Sequence, residues 1–200
     1  MSRLARALAQ TLDSLGALEV RAALVGGLAV SARTEPRFTR DLDLAVAVRD
    51  DAETEALLGG LMAAGFRVLS TVEQDATARL ATARLTPPGE SDDELVVDLL
   101  FASSGIEPEV VAAADPLELF PGLTVPVATR GHLLALKALS LDDATRPQDR
   151  LDALALGAGA TPTDLQIARH ALATIAERGF ARQQDLPGKL DRLLAQVPSV

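Results

Sequence analysis

The sequence predicts an α+β fold: a sheet-bearing core over residues 1–129, followed by a C-terminal helical region over residues 130–200. Three observations predict it. Short apolar runs bounded by Gly, Pro and Asp recur between residues 21 and 129, which is the length and punctuation of strands. Between them lie stretches such as DDAETEALLGGLMAAG (50–65), whose apolar residues return every three or four positions, as on a helix with one buried face. From Arg130 onward the helical period takes over.

The elements follow in order. MSRLARALAQTLDSLG sets Leu4, Leu8, Leu12 and Leu15 on one helical face, broken by charges and so unlike a signal peptide. RAALV (21–25) is a short buried strand, which Gly26 and Gly27 release into a helix from about Leu28 to Arg33. DLDLAVAV is the second strand. In the helix after it, Asp50 is the N-cap, acids fill the first turn, and Leu57, Leu58, Leu61 and Met62 share a face. FRVLS (66–70), ARLATARLT (78–86) and ELVVDLLFA (94–102) are further strands, the middle one alternating and half exposed, the last central. PPGESDD (87–93) is the loop between those two. IEPEVVAAAD is a short helix, and LTVPVAT (123–129) an edge segment limited by Pro126. Four helices complete the chain: GHLLALKALSLDD, RPQDRLDALALGAG, TPTDLQIARHALATIAERG and DLPGKLDRLLAQV. Thr161 before Pro162, with Asp164 in the first turn, marks one clear start.

Composition narrows the function. The 48% hydrophobic content is mostly Ala, Leu and Val, with five Phe and neither Tyr nor Trp, so platforms for stacking bases are scarce. The absence of Cys excludes disulfides and thiolate zinc sites. No run approaches the roughly 20 apolar residues of a membrane span, and the chain reads as cytoplasmic with no membrane partner. A net charge of −9 opposes a broad nucleic-acid footprint. Arg33, Arg37 and Arg40, shortly before Asp41, either hold an anionic substrate locally or offset nearby acids.

Chemistry concentrates in VGGLAVSARTEPRFTRDLDLAV (25–46). Alternate strand residues share a face, so Asp41 and Asp43 stand together while Leu42 and Leu44 face the other way. Two adjacent carboxylates repel unless a proton or cation intervenes, and hard divalent ions such as Mg2+ favour carboxylate oxygen. The glycine pair opens a helix start to phosphate; thirteen residues between Gly27 and Asp41 allow a short helix and a return to the same sheet edge. Asp98 interrupts the apolar run ELVVDLLF. Burial of an unpaired carboxylate is costly, so Asp98 either shares the cation of Asp41 and Asp43 or pairs with an arginine. Lys137, the sole cation of HLLALKALS, either snorkels or points at a nucleotide phosphate. Asp149 and Asp152 lie three apart on a helical face, with Arg146 three before; surface ion pairs and catalysis both account for them. His132 belongs to a helix start or the core.

GGLAVSARTEPRFTRDLDLAV, VVDLLF, Lys137 and QDRLDAL, in this order over roughly residues 22–156, resemble the AbiEii/AbiGii-type nucleotidyltransferase toxins. These include the MenT-like toxins of bacterial toxin–antitoxin systems, within the DNA polymerase β-like superfamily. The resemblance implies a mixed sheet flanked by helices, with the helical region completing the active site. It implies metal, Mg2+ or Mn2+, on the Asp-x-Asp pair of Asp41 and Asp43, to which the strand reading adds Asp98, and an NTP co-substrate on Gly26, Gly27, Ser31 and Lys137. It matches Lys137 to the family's lysine and Asp149–Asp152 to a Lys-Asp-x-x-Asp-Leu motif in which Gln148 replaces the lysine, with an acceptor hydroxyl losing its proton near Asp98 or Asp152. It points to the 3′ end of tRNA or another RNA as acceptor and to an antitoxin as partner. Other readings are nucleotide or phosphate transfer to a small molecule or an antitoxin, and a non-catalytic nucleotide- or partner-binding relic.

Overall fold

The computed structural model describes residues 1–36, 39, 41–74, 77–91, 95–142 and 147–197. Seven strands form one sheet in the order β3-β4-β5-β2-β1-β7-β6. They are β1 (Ala22–Val25), β2 (Leu42–Val46), β3 (Arg67–Gln74), β4 (Arg79–Thr86), β5 (Val97–Leu100), β6 (Asp115–Phe120) and β7 (Leu123–Val127). The sheet is mixed: β2 runs parallel to β5 and β1 to β7, and the other neighbours are antiparallel. Its helices are α1 (Arg3–Ala17), α2 (Gly26–Arg33), α3 (Asp51–Ala63) and α4 (Glu107–Ala112), with α5 (Arg130–Ser140), α6 (Pro147–Ala158), α7 (Pro162–Glu177) and α8 (Leu186–Leu194) after it. Among the described residues no helix is long and apolar enough to cross a membrane.

Local chemistry fixes the helix starts. Asp50 accepts from the Glu53 N–H at 3.0 Å, and Thr161 with Asp164 closes a reciprocal capping box. Thr129 caps α5 through the His132 N–H. Burial lowers the pKa of His132 and keeps that ring neutral at the start of the helix. Helix α2 is different, for Val25 supplies no side-chain cap, and its first N–H groups need another acceptor.

The core is mostly aliphatic, with Phe66, Phe101 and Phe180 among its members, and continuous from α1 to α8. Leu42, Leu44, Leu85, Val97 and Leu99 are fully buried on one face of the central strands, while Asp43, Arg84 and Asp98 alternate with them.

Several elements differ from the sequence expectation: β3 runs on to Gln74 instead of ending near Ser70, and β5 is the short Val97–Leu100. DPLELF forms β6, an added edge strand, so β7 lies inside the sheet and not at its edge. Pro126 is tolerated there because it stands opposite Pro116 of β6, and β7 meets β1 only at Leu24↔Val127. Helix α2 starts at Gly26, directly at the strand end, and not at Leu28.

Candidate active site

The register of three strands builds one polar row. In the parallel β2–β5 pair Asp43 lies opposite Asp98, and in the antiparallel β4–β5 pair Asp98 lies opposite Arg84. Asp41 precedes Asp43 on the same face and is exposed. On the other side of β2, Asp43 stands opposite Val25, the last residue of β1. The chain then turns at once into α2.

That turn explains the glycine pair. Gly26 has φ +64°, and a Cβ there would lie 1.9 Å from Asp43 Oδ2. The Gly27 N–H donates to the Asp43 carboxylate, which thus acts as the missing cap of α2 and sits at the positive end of its dipole. The close approach that glycine permits is made to the chain's own aspartate. Gly26→Ala therefore strains the backbone and drives a methyl group into Asp43. A loss of about 2–4 kcal/mol is expected, checked by urea melts; a variant with parental stability would contradict the packing.

Electrostatics single out Asp43. Burial first, then the neighbouring charge of Asp98, with Asp41 adding less, raises its carboxyl to about 6, against the opposing pull of Lys137 and the Gly27 N–H. Asp98 is gripped by Arg84, with Nε to Oδ1 at 2.8 Å and Nη2 to Oδ2 at 2.6 Å. The hydrogen bond and charge of Asp98, and more weakly the fields of Asp41 and Asp43, push the Arg84 pKa up. As arranged here, no three Asp, Glu, His or Cys side chains among the described residues are set to hold an ion together.

The helical region supplies the other half. Lys137 of α5, within the field of Asp43, lies buried between two carboxylates of α6: Nζ is 2.6 Å from Asp149 Oδ1 and 2.8 Å from Asp152 Oδ2. Gln148, in the position of the motif's lysine, donates to Asp152 Oδ1 at 3.1 Å. Asp149 Oδ2 is buried without a hydrogen-bond partner. Asp149 and Asp152 are thus not exposed ion-pair partners; they clamp Lys137 and join α6 to α5.

The structure brings Asp41, Asp43, Asp98, Gly26, Gly27 and Lys137 to one end of the central strands, with Asp152 behind Lys137. Ser31 is one turn along α2, its hydroxyl donating to Gly27 O at 3.1 Å. Arg33 is not aimed at a substrate: it binds the Val127 and Ala128 carbonyls and Asp115. Arg37, Arg40 and Arg146 lie outside the described residues. Arg84 is the partner that sequence reasoning missed; its only signal is the alternation of β4, which puts it on the polar face. A cavity of about 540 Å³, lined by Arg21, Val48, Phe101 and Phe180 among others, contains none of these acids and lies toward the other ends of β2 and β5.

An antigenic nucleotidyltransferase-like protein from Paracoccidioides brasiliensis shares the fold, with a TM-score of 0.51, 20% identity and coverage of 96% of this chain and 94% of that one. ANT(2″)-Ia in complex with adenylyl-2″-tobramycin aligns at TM-score 0.48 and 15% identity, over 98% and 100% of the two chains. MenT4, a nucleotidyltransferase toxin from Mycobacterium tuberculosis, aligns at 0.33 and 14%, over 90% and 85%. No curated protein matches the chain. The sequence profile of the nucleotidyl transferase AbiEii toxin, type IV toxin–antitoxin system, matches residues 6–198. With nearly its whole length inside that match, and the fold that goes with it, the chain belongs to the AbiEii nucleotidyltransferase toxin family.

Proposed function

We propose that this nucleotidyltransferase moves a nucleotide from an NTP to an acceptor hydroxyl, with a divalent cation, Mg2+ or Mn2+, on Asp41 and Asp43 and the 3′ end of tRNA as acceptor. The observation that carries the reading is Asp43, a carboxylate held among like charges at a glycine turn, its pKa raised to about 6. Such a donor set fits a hard cation, which removes the repulsion that raises that pKa. Asp98 is the third candidate ligand.

When bound, the ion supplies positive charge for the triphosphate and lowers the pKa of an attacking hydroxyl. The chain's own residues do the rest. Asp41 and Asp43 would hold the ion at the strand end. The Gly26–Gly27 turn fixes Asp43 through its close approach and the Gly27 N–H, while Ser31 braces the first turn of α2. Lys137 adds a positive field and ties α6 to α5. The hydroxyl proton passes to Asp98, whose side chain is 14% exposed, in preference to Asp152 at 2%. A bond from the acceptor oxygen to the α-phosphorus forms as the bond to pyrophosphate breaks.

Incubation with each of the four labelled NTPs, Mg2+ or Mn2+, total RNA and a lysate tests the reading. Label on tRNA, lost in Asp41→Ala and Asp43→Asn, is the expected result. Label confined to protein would favour an antitoxin as acceptor, and no metal-dependent NTP consumption would leave a nucleotide-binding relic. A second reading, transfer to a small cationic hydroxylated compound, is favoured by the net charge of −9. The two separate on Arg37→Glu, which lowers transfer to RNA several-fold while the remote Arg192→Glu changes little. Equal rates in parent and both variants would remove the RNA reading in this form.

A further inference from the structure

Across β4, β5 and β2 the row reads Arg84, Asp98, Asp43, and directly opposed residues project to the same face. Both oxygens of Asp98 are engaged by the Arg84 fork, at 2.8 and 2.6 Å, the strong bidentate form of a charge-assisted pair. The side chain of Arg84 is 46% exposed and that of Asp98 14%. The fork thus closes from the solvent side, with room to swing away.

We propose that Arg84 is a built-in counter-cation that competes with the divalent ion for Asp98, so that filling the acid cluster with metal and opening the Arg84 fork are one equilibrium. The proposal rests on the metal reading above. An arginine is charged at every relevant pH, and its fork places one N–H on each oxygen of Asp98. Hard ions take carboxylate oxygens at about 2.0–2.6 Å, and a guanidinium held on the same two oxygens repels an ion brought that close. In the metal-free chain Arg84 neutralises an acid that Lys137 does not, because Lys137 is held by Asp149 and Asp152. Once displaced, the guanidinium is left at the rim of the site, where its planar donors suit the phosphates of an incoming nucleotide.

The alternative role for such a pair is support, in which Arg84 orients Asp98 for the ion; removal of a supporting partner weakens binding, commonly 10–100-fold. Competition predicts the opposite sign. Apparent affinity falls by the fraction of molecules with the site free, so removal of the fork tightens binding.

The test is a Mn2+ titration of the full chain without nucleotide, with free Mn2+ read by electron paramagnetic resonance. Its proteins are the parent, Arg84→Gln, Arg84→Lys, Asp43→Asn and the double variant Arg84→Gln/Asp98→Asn. Competition predicts Arg84→Gln binding about five- to thirtyfold tighter than the parent, Arg84→Lys in between, and the gain cancelled by Asp98→Asn. Unchanged or weaker binding in Arg84→Gln, with binding lost in Asp43→Asn, overturns the competition and leaves the metal reading standing. No binding by any of the five overturns both. Melting curves in chelator show whether Arg84→Gln is folded; if it is not, Arg84→Lys against the parent decides the sign.

Discussion

Asp43→Asn is expected to abolish nucleotide transfer, by about a thousandfold or more, and at the same time to stabilise the metal-free protein at pH 8. Its carboxyl titrates at about 6 in the folded chain against an ordinary value of 3.8. A raised acid favours folding only while protonated: its contribution is fully present below about 3.8 and lost as pH rises through 6. Above that the native state carries a charge that burial, Asp98 and Asp41 all oppose. At 1.36 kcal/mol per pKa unit the penalty is on the order of 1–3 kcal/mol, the lower figure allowing for screening at the sheet's rim. Asparagine removes the charge and keeps an acceptor for the Gly27 N–H, so the cap of α2 survives. Urea unfolding in chelator at pH 5 and pH 8 gives the measurement, with other titrating groups cancelling between parent and variant. The variant's advantage should appear at pH 8 and shrink toward pH 5; a difference independent of pH would show that the native carboxylate bears no penalty. Mn2+ should reverse the order at pH 8, because only the parent gains from binding it.

The sheet acids were legible because strand periodicity is strict. Asp41 and Asp43 share a face at any register, and Asp98 interrupts apolar residues whichever neighbours it has. Arg84 was not legible as the partner of Asp98, since the turn joining β4 to β5 decides which residues stand opposite, and one residue of slip would have turned Arg84 to the other side. The same limit hid β6. DPLELF carries Asp and Pro at its start, signals of a loop, yet an edge strand tolerates both on its unpaired side. The missing edge then made β7 look like the boundary. Helix starts fared better, as at Asp50 and Thr161, because a cap is decided within four residues. The tie between α5 and α6 depends on two helices meeting, and nothing in HLLALKALS tells that its lysine faces QDRLDAL. Read alone, Lys137 is a solitary cation whose charge is removable without harm.

The structure reverses that expectation, and Lys137→Met is the second large effect. The ammonium is buried between Asp149 and Asp152, at 2.6 and 2.8 Å, and none of the three side chains is more than 12% exposed. Methionine keeps the stem's volume but leaves two carboxylates facing each other without a cation, and the loss of one partner from a buried ion pair typically costs about 3–5 kcal/mol. For a chain of this size that lowers Tm on the order of 10 °C. The deficit should ease at acidic pH, where the stranded acids take up protons, and should largely vanish in Lys137→Met/Asp149→Asn/Asp152→Asn, whose amides leave no charge to neutralise. Thermal melts of parent, single and triple variants at pH 5 and pH 8 decide it. A single variant that melts with the parent at pH 8 would mean that the α6 acids do not need the ammonium. The rescued triple variant then isolates the chemistry: with the fold restored, a nucleotide affinity still several-fold below the parent locates part of the substrate's grip in this charge cluster, whereas parental affinity confines Lys137 to holding α6 against α5.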